Sequence, residues 1–215
     1  PLLQEAAERP VDVIVIVICA WVYIRTLREE LPLGVLHIST DTVFLRQEYI
    51  RILSSALSHA SVLHIVFNTA SLWGFGGVEQ GMGSVLYFGT SLLLVGVVGV
   101  VACAIQLWAA TRGHGGSEAV ARRAVGYSGV LFAWMVVAAA QQQQTFPLPG
   151  DWAFALPISF APFASLLFTQ MLIPNVSFVG HLAGVIAGFP VAWGWLNWLA
   201  PSLVLSITIL ALSMH

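Results

Sequence analysis

Long apolar runs separated by short polar segments dominate the hydropathy pattern of this 215-residue chain. A membrane-spanning helix needs about 20 apolar residues, or fewer where helices are short or tilted. The pattern predicts six spans, and a further apolar stretch at 200–214 is either a seventh span or an interfacial end. The six predicted spans are 11–25, 60–79, 84–110, 125–141, 152–173 and 178–198.

Composition points to the same class of protein. Hydrophobic residues make up 58% of the chain, charged residues only 8%, and the mean hydropathy is +0.87. A soluble domain carries about 25% charged residues. We therefore predict an all-α, multi-pass membrane bundle in which residues 1–215 form a single domain in contact with the lipid bilayer. The oligomeric state stays open. The net charge of −2 and the absence of lysine give no indication of nucleic-acid binding.

The first loop, about 26–58, is long and mixes polar with scattered apolar residues. Such a segment is typical of chain that lies partly at the membrane interface. We expect part of this loop to lie at the membrane interface.

Four polar residues fall at a similar depth in three of the spans. Because successive spans alternate in direction, the second, fourth and sixth enter from the same face. His64 and Asn68 lie in the first turns of the second span, Ser128 in the first turn of the fourth and His181 in that of the sixth. Ser128 is five residues past Arg123, or roughly 7 Å below the surface at the helical rise per residue. We predict that the four side chains share one shallow layer.

Each of these residues also has a purely structural interpretation. Ser128 is a favoured residue for a helix N-cap. His181 and Asn68 are residue types that hydrogen-bond between membrane helices, and His59 and His64 suit the interface. Four such groups at one depth on three helices nevertheless favour a shared functional site, because ionisable groups within a membrane are costly unless they are used.

A serine with a histidine is the minimum for nucleophilic acyl transfer, because the imidazole takes the proton of the hydroxyl. The starts of these three spans contain no acidic residue, so we predict a dyad. Ser128 is the expected nucleophile and His181 the expected general base and then acid. Phe132, four residues after Ser128, shares its helix face and is expected to stack on the His181 ring.

An acyl-transfer site also needs hydrogen-bond donors for the oxyanion. The Ser128 N–H is one candidate, because the first N–H groups of a helix have no partner within it. His64 and Asn68 are four residues apart, so they share a face and both can donate. His59 does not share that face if it is helical, and we expect it to support the first loop.

Small residues predict how the fourth and sixth spans pack. Gly184 and Gly188 form a G-x-x-x-G pair near the face of His181, which allows close approach of another helix. Gly129 and Ala133 offer a matching small face on the fourth span. Close packing of these faces would bring the serine and the histidine within hydrogen-bonding range.

Taken together, these segments resemble the rhomboid intramembrane serine proteases. The resemblance covers about 45–198 and is carried by "IRILSSALSHASVLHIVFN", "GFGGVEQGMGS", "GYSG" and "GHLAGVIAG". The chain departs from the family at Ile50, which precedes Arg51 where the family has tryptophan–arginine, and at Phe132, where tyrosine is common. The run "RRAVGYSGVLFA" is most similar to the eukaryotic, ER-type subgroup. The family motifs fall on Gly126, Ser128 and Gly129, on His59, His64 and Asn68, and on His181, Gly184 and Gly188.

The resemblance implies cleavage of transmembrane proteins near a membrane face by a serine–histidine dyad, without metal or cofactor. It implies supporting roles for Arg51, His59, Gly126, Gly129, Phe132, Gly184 and Gly188, and small or helix-breaking residues near the scissile bond. An endomembrane location (ER or Golgi) with the catalytic layer facing the lumen is the expectation. The positive-inside rule points the other way, because seven of the eight arginines lie on the catalytic side.

Two other classes of function stay open. A non-proteolytic rhomboid-like protein would bind and route membrane clients, although such relatives typically lack the serine or the histidine. A transporter or metal-binding channel would instead use His59, His64 and His181 as ligands. An intramembrane metalloprotease is disfavoured because H-E-x-x-H is absent.

Overall fold

The computed structural model describes residues 2–113, 116–141, 144–147, 153–156, 160–173 and 176–213. Within these ranges the chain is a bundle of α-helices, as predicted, with one π-helical turn at Asp41–Leu45 and one antiparallel pair of short strands, β1 (Gln144–Pro147) and β2 (Ala153–Leu156). The helices are α1 (Leu2–Glu8), α2 (Pro10–Leu27), α3 (Leu33–Leu36), α4 (Ile50–Ala56), α5 (Val62–Gly74), α6 (Gly77–Met82), α7 (Ser84–Thr111), α8 (Gly116–Ala121), α9 (Ser128–Gln141), α10 (Ala161–Leu172), α11 (Phe178–Ala192) and α12 (Leu199–Ser213).

The helices α2 and α7 are long and apolar enough to cross a membrane by themselves, and α9 to α12 are shorter apolar helices. Three predicted limits were wrong. The second span was predicted to reach 79, but α5 ends at Gly74 and a turn at Phe75 separates it from α6. The fifth predicted span corresponds to α10, which begins at Ala161 and not at 152. Pro162 occupies the first turn of α10, and Ala153–Leu156 forms a strand. The sixth predicted span corresponds to α11, which ends at Ala192 and not at 198. Gly194 follows with a backbone in the left-handed region, which commonly terminates helices.

The C-terminal stretch is helical, so the structure distinguishes between the two interpretations of 200–214. The helix α12 lies alongside α7, where a Cβ on Gly89 would be 2.7 Å from the Ala200 carbonyl oxygen. Both residues lie near the beginnings of their helices. The two helices therefore start at the same face, and α12 is a seventh apolar helix of the bundle.

The helix α9 occupies the centre of the bundle, between α7 and α11. Its Trp134 and Ala133 are completely buried. The Trp134 ring stacks on Tyr87 at 4.8 Å between centroids, and the Tyr87 hydroxyl donates to Asp12 Oδ1 at 2.8 Å. These contacts connect α9 through α7 to α2.

The small-residue prediction for α9 and α11 is confirmed. A Cβ on Gly188 would lie 2.7 Å from the Ala133 carbonyl oxygen, and a Cβ on Gly129 would lie 3.1 Å from the Gly180 carbonyl oxygen. Backbone-to-backbone contact of this kind is what small residues permit between membrane helices.

The first loop fixes the segment that leads into α9. Ile38 and Ala124 exchange backbone hydrogen bonds of 3.0 and 2.9 Å as an isolated antiparallel bridge. Buried Gln106 of α7 accepts from the Thr40 hydroxyl at 2.9 Å and donates to the Arg122 carbonyl at 3.2 Å. The extended segment 122–126 is thus held by both the loop and α7. The loop exposes large apolar side chains, as expected of an interfacial segment: Phe44, Leu45, Tyr49 and Ile50.

Candidate active site

The hydroxyl of Ser128 meets the imidazole of His181. Ser128 Oγ lies 2.8 Å from His181 Nε2. The N-cap interpretation of Ser128 is wrong, because Ser128 is the first residue of α9 and the carbonyl of Tyr127 already accepts from Leu131 N at 3.1 Å. The hydroxyl is therefore directed across to α11, and the Ser128 N–H lies among the N–H groups that have no partner within the helix.

The His181 ring is held by packing. Ser177 caps α11 by accepting from Gly180 N at 3.1 Å, which places His181 in the first turn. The side chain is 2% exposed, and the Phe132 ring lies 4.7 Å from it between centroids at an interplanar angle of 30°. His181 Nδ1 has no hydrogen-bond partner within the part of the chain that the structure describes. The contact that the structure gives this ring in place of a triad's carboxylate is therefore aromatic.

His64 and Asn68 are buried on one face of α5. Ser61 caps this helix by accepting from His64 N at 3.2 Å, and Asn68 Nδ2 donates to the His64 carbonyl at 2.9 Å. That bond uses one of the two hydrogens of the Asn68 amide. His64 Nε2 has no partner among the described residues. Both side chains therefore retain hydrogen-bonding capacity.

His59 does not lie where the helical assumption put it. The helix α5 begins at Val62, so His59 belongs to the preceding turn and folds back onto His64. The two rings meet edge to face, with centroids 5.0 Å apart and an angle of 69°, and His59 is 1% exposed. His59 thus buttresses His64 directly, in addition to belonging to the end of the first loop.

Gly126 makes the approach to Ser128 possible. Its φ of +117° is a conformation that side chains rarely adopt, and its N–H donates to the Ser55 carbonyl at 2.8 Å. A Cβ at this position would lie 2.6 Å from His64 Nε2 and 3.6 Å from Ser128 Oγ. The backbone at Gly126 therefore passes between the serine and the His64 ring, where only glycine fits.

The four polar side chains of the predicted layer converge on one cavity, which we call the site cavity. Its volume is about 90 Å³, several times what one water molecule needs. Water therefore has space in the cavity that Ser128 lines. The lining includes Ser128, His181, His64, Asn68 and Phe132, together with Phe67, Ser71, Phe75, Leu131, Met135, Thr169, Ile173 and Val176.

Comparison with known proteins agrees with this geometry. The family model described as "Rhomboid domain" matches residues 46–198, well over half of the chain. The chain belongs to the rhomboid family.

Relatives cover several kinds of rhomboid. "Rhomboid-like protein 14, mitochondrial" of Arabidopsis thaliana is 32% identical over 68% of this chain and 43% of its own length. "Rhomboid-related protein 4" of Homo sapiens is 29% identical over 83% of this chain and 55% of its own. "Rhomboid-type serine protease 2" of Eremothecium gossypii is 26% identical over 67% and 53%. The chain spans about half the length of these curated relatives.

Arg51, in the first loop of this rhomboid, does not line the site cavity. Arg51 forms an ion pair with Glu48, and its Nη1 donates to the Gly34 carbonyl at 3.1 Å and to the His37 carbonyl at 3.4 Å. Arg51 therefore braces the turn between α3 and α4.

Sequence reasoning missed two buried polar residues of the rhomboid fold. Glu79 of α6 accepts from the backbone N–H groups of Val11 and Asp12, each at 2.9 Å, and so caps α2. Gln106 clamps the first loop to segment 122–126. For Gln106 a signal was available, because a polar residue isolated among apolar ones requires a buried partner; Glu79 stands beside Gln80 and glycines and gave no such signal.

The described residues contain no cluster of side chains suited to bind a metal ion. Across the described ranges, no three histidine, cysteine or carboxylate side chains converge as metal ligands do. His59 and His64 contact each other through their ring edges and faces, and His181 is directed to Ser128. The metal-channel alternative therefore lacks a ligand set in this part of the chain.

Proposed function

We propose that this chain is an intramembrane serine endopeptidase that cleaves transmembrane proteins near a membrane face. The observation that carries the proposal is the 2.8 Å contact between Ser128 Oγ and His181 Nε2 in a cavity also lined by His64 and Asn68. The printed names of some relatives include "serine protease", whereas others are called rhomboid-like or rhomboid-related. The name of the family therefore leaves activity to be tested.

In the proposed acylation step, Ser128 Oγ attacks the scissile carbonyl carbon while His181 Nε2 takes the hydroxyl proton. For Nε2 to accept, the ring proton must lie on Nδ1. The negative charge develops on the carbonyl oxygen, where the Ser128 N–H, the free hydrogen of the Asn68 amide and His64 are the proposed donors. The tetrahedral intermediate collapses, the C–N bond breaks, and His181 gives its proton to the leaving amine.

Deacylation repeats these roles with water. His181 Nε2 takes a proton from a water molecule in the site cavity, and the resulting hydroxide adds to the ester carbon. The C–Oγ bond then breaks, and the proton returns from His181 to Ser128 Oγ. The proposed role of the Phe132 ring is to keep the imidazole in place through both steps. Among the described residues, no acidic side chain is hydrogen-bonded to His181 Nδ1 that could do so instead.

The proposal also covers the domain that carries the activity, the supporting residues and the cellular compartment. We place the activity in a single rhomboid domain, with supporting roles for Arg51, His59, Gly126, Gly129, Phe132, Gly184 and Gly188. We propose an endomembrane location, ER or Golgi. The word "mitochondrial" in the name of one relative makes mitochondria the competing compartment. Microscopy of the full-length protein against markers of both compartments distinguishes them.

Fluorophosphonate labelling tests the chemistry without knowledge of the substrate. We expect the purified protein to be labelled, and the label to be lost in Ser128→Ala and His181→Ala. Ser71 lines the same cavity, so Ser71→Ala is the matched control and should retain the label. Absence of labelling in the folded wild-type protein would contradict the proposal and favour a rhomboid-like protein that binds clients without cutting them.

A further inference from the structure

Two exposed arginines at the mouth of the site form no ion pair with a carboxylate of the described residues. Arg122 and Arg123 are the first residues of the extended segment 122–126, which leads to Ser128. Arg25, Arg46 and Arg51 on the same side of the bundle each pair with a carboxylate. Among the described residues, Arg122 and Arg123 form no such pair. Arg28 and Arg112 also lack one there, but they line neither of the two cavities that Arg123 borders.

These charges face a passage that leads to the serine. Arg123 lines an entrance cavity of about 230 Å³, to which His64 also contributes, and an outer cavity of about 390 Å³, which it shares with Arg122. His64 also lines the site cavity, and Val176 lines all three. A chain that extends from Ser128 towards water along these cavities passes both arginines.

The passage contains no competing charge in the part of the chain that the structure describes. No acidic residue there lines the entrance or the outer cavity. The other titratable group facing the arginines from the first loop is His37. Its burial, together with the positive charges of Arg123 and Arg51, lowers the pKa of His37, so this ring is neutral near pH 7. The arginines therefore set the electrostatic potential of the passage, which attracts anionic groups.

We propose that Arg122 and Arg123 form a recognition site for acidic side chains in the juxtamembrane segment of the substrate, on the aqueous side of the scissile bond. This inference rests on the proposed protease function. A peptide is favoured over an anionic lipid because the entrance cavity continues to His64 and the site, and because Gln170 and Ser177 add polar groups to the outer cavity beside the exposed Phe178. Gln106 holds the backbone carbonyl of Arg122, so the side chain can be replaced without loss of that anchor.

The test uses one single-span reporter peptide in two forms. Its juxtamembrane segment reads Asp-Glu-Asp-Glu in one form and Asn-Gln-Asn-Gln in the other. Cleavage is measured in phosphatidylcholine vesicles, with and without phosphatidylserine, and binding to the Ser128→Ala protein is measured in parallel. The test variant is Arg122→Gln/Arg123→Gln. The control, Arg28→Gln/Arg112→Gln, removes the same charge from the same side of the bundle but from residues that line neither cavity.

We expect the wild-type protein and the control to prefer the acidic form by about three- to tenfold, as for two partly exposed ion pairs. The test variant should lose this preference while keeping its fluorophosphonate label. Equal use of both forms by the wild type, or a preference that survives in the test variant, overturns the inference. A variant effect that appears only with phosphatidylserine overturns it in favour of lipid contact.

Binding to the Ser128→Ala protein separates this inference from the protease proposal, because binding needs no catalysis. Where labelling and cleavage both fail, tighter binding of the acidic peptide that is lost in the test variant still supports the recognition site. Equal binding of the two peptides overturns it. Failure of the protease proposal is therefore distinguishable from failure of the inference.

Discussion

Gly184 of α11 presses against Gly129 of α9 so closely that a Cβ on Gly184 would overlap the Gly129 carbonyl oxygen. The same Cβ would lie 3.0 Å from Phe132 Cβ. Gly129 directly follows Ser128, and Gly184 lies about one turn after His181. The spacing of the two catalytic candidates is therefore set by the absence of a side chain at Gly184.

Replacement of Gly184 by alanine should push the two helices apart. We expect Gly184→Ala to lower the free energy of unfolding by about 1–3 kcal/mol and to slow fluorophosphonate labelling. Gly96→Ala is the control, since a Cβ on this helical glycine of α7 meets nothing within 4 Å. Thermal unfolding and labelling rates measured in the same detergent check the prediction. Equal behaviour of the two variants would contradict it.

Gly126→Ala should damage the site more than the fold. The new Cβ would collide with the His64 ring, in addition to the cost of about 1–3 kcal/mol for an unfavourable backbone conformation. Gly83→Ala carries a similar backbone cost, at a φ of +84°, but meets no atom within 4 Å. We expect both variants to lose stability, Gly126→Ala the more because the collision adds to the backbone cost, and we expect a loss of labelling rate in Gly126→Ala alone. A similar loss of labelling in both variants would mean that backbone strain, not the ring, is responsible.

Phe132 should matter for the rate through the orientation of His181. Removing the aromatic contact in Phe132→Leu should slow labelling by roughly two- to tenfold, the value of an aromatic pair. Phe132→Tyr keeps the ring and should retain the rate. Phe189→Leu is the matched control, because Phe189 pairs with Phe163 at 6.4 Å and does not line the site cavity. The idea fails where leucine at 132 labels as fast as tyrosine.

Glu79 should affect stability without affecting the site. Glu79→Gln replaces one carboxylate oxygen by an amide that cannot accept from the N–H groups at the start of α2. We expect a loss of about 1.5–3 kcal/mol in the free energy of unfolding, with an unchanged labelling rate per folded molecule. Glu118→Gln, at an exposed position of α8, should change neither quantity. A reduced labelling rate at full folding would show that α2 is coupled to the site.

The helix boundaries show which limits can be predicted from the local hydropathy pattern. The spans that became α2, α7 and α9 were predicted to within three residues, because apolar length and flanking charge are local properties of the chain. The end of α5, the beginning of α10 and the end of α11 were wrong. Hydropathy does not record the turn at Phe75, the proline at 162 or the left-handed glycine at 194 that set these limits. For His59 the sequence predicted only a supporting role, and its contact with His64 could not be predicted because His59 lies before α5, where helical spacing does not apply.

For the candidate site, too, some features follow from the sequence and others only from the tertiary structure. Sequence alone determined that Ser128, His181, His64 and Asn68 lie at one depth, because helical rise and the alternation of spans leave little freedom along the membrane normal. Only the tertiary structure decided their lateral arrangement: the 2.8 Å contact across α9 and α11, the fold-back of His59 and the cavities that lead past Arg123. Those features depend on how helices distant in sequence pack side by side, and spacing within one helix carries no record of its neighbours.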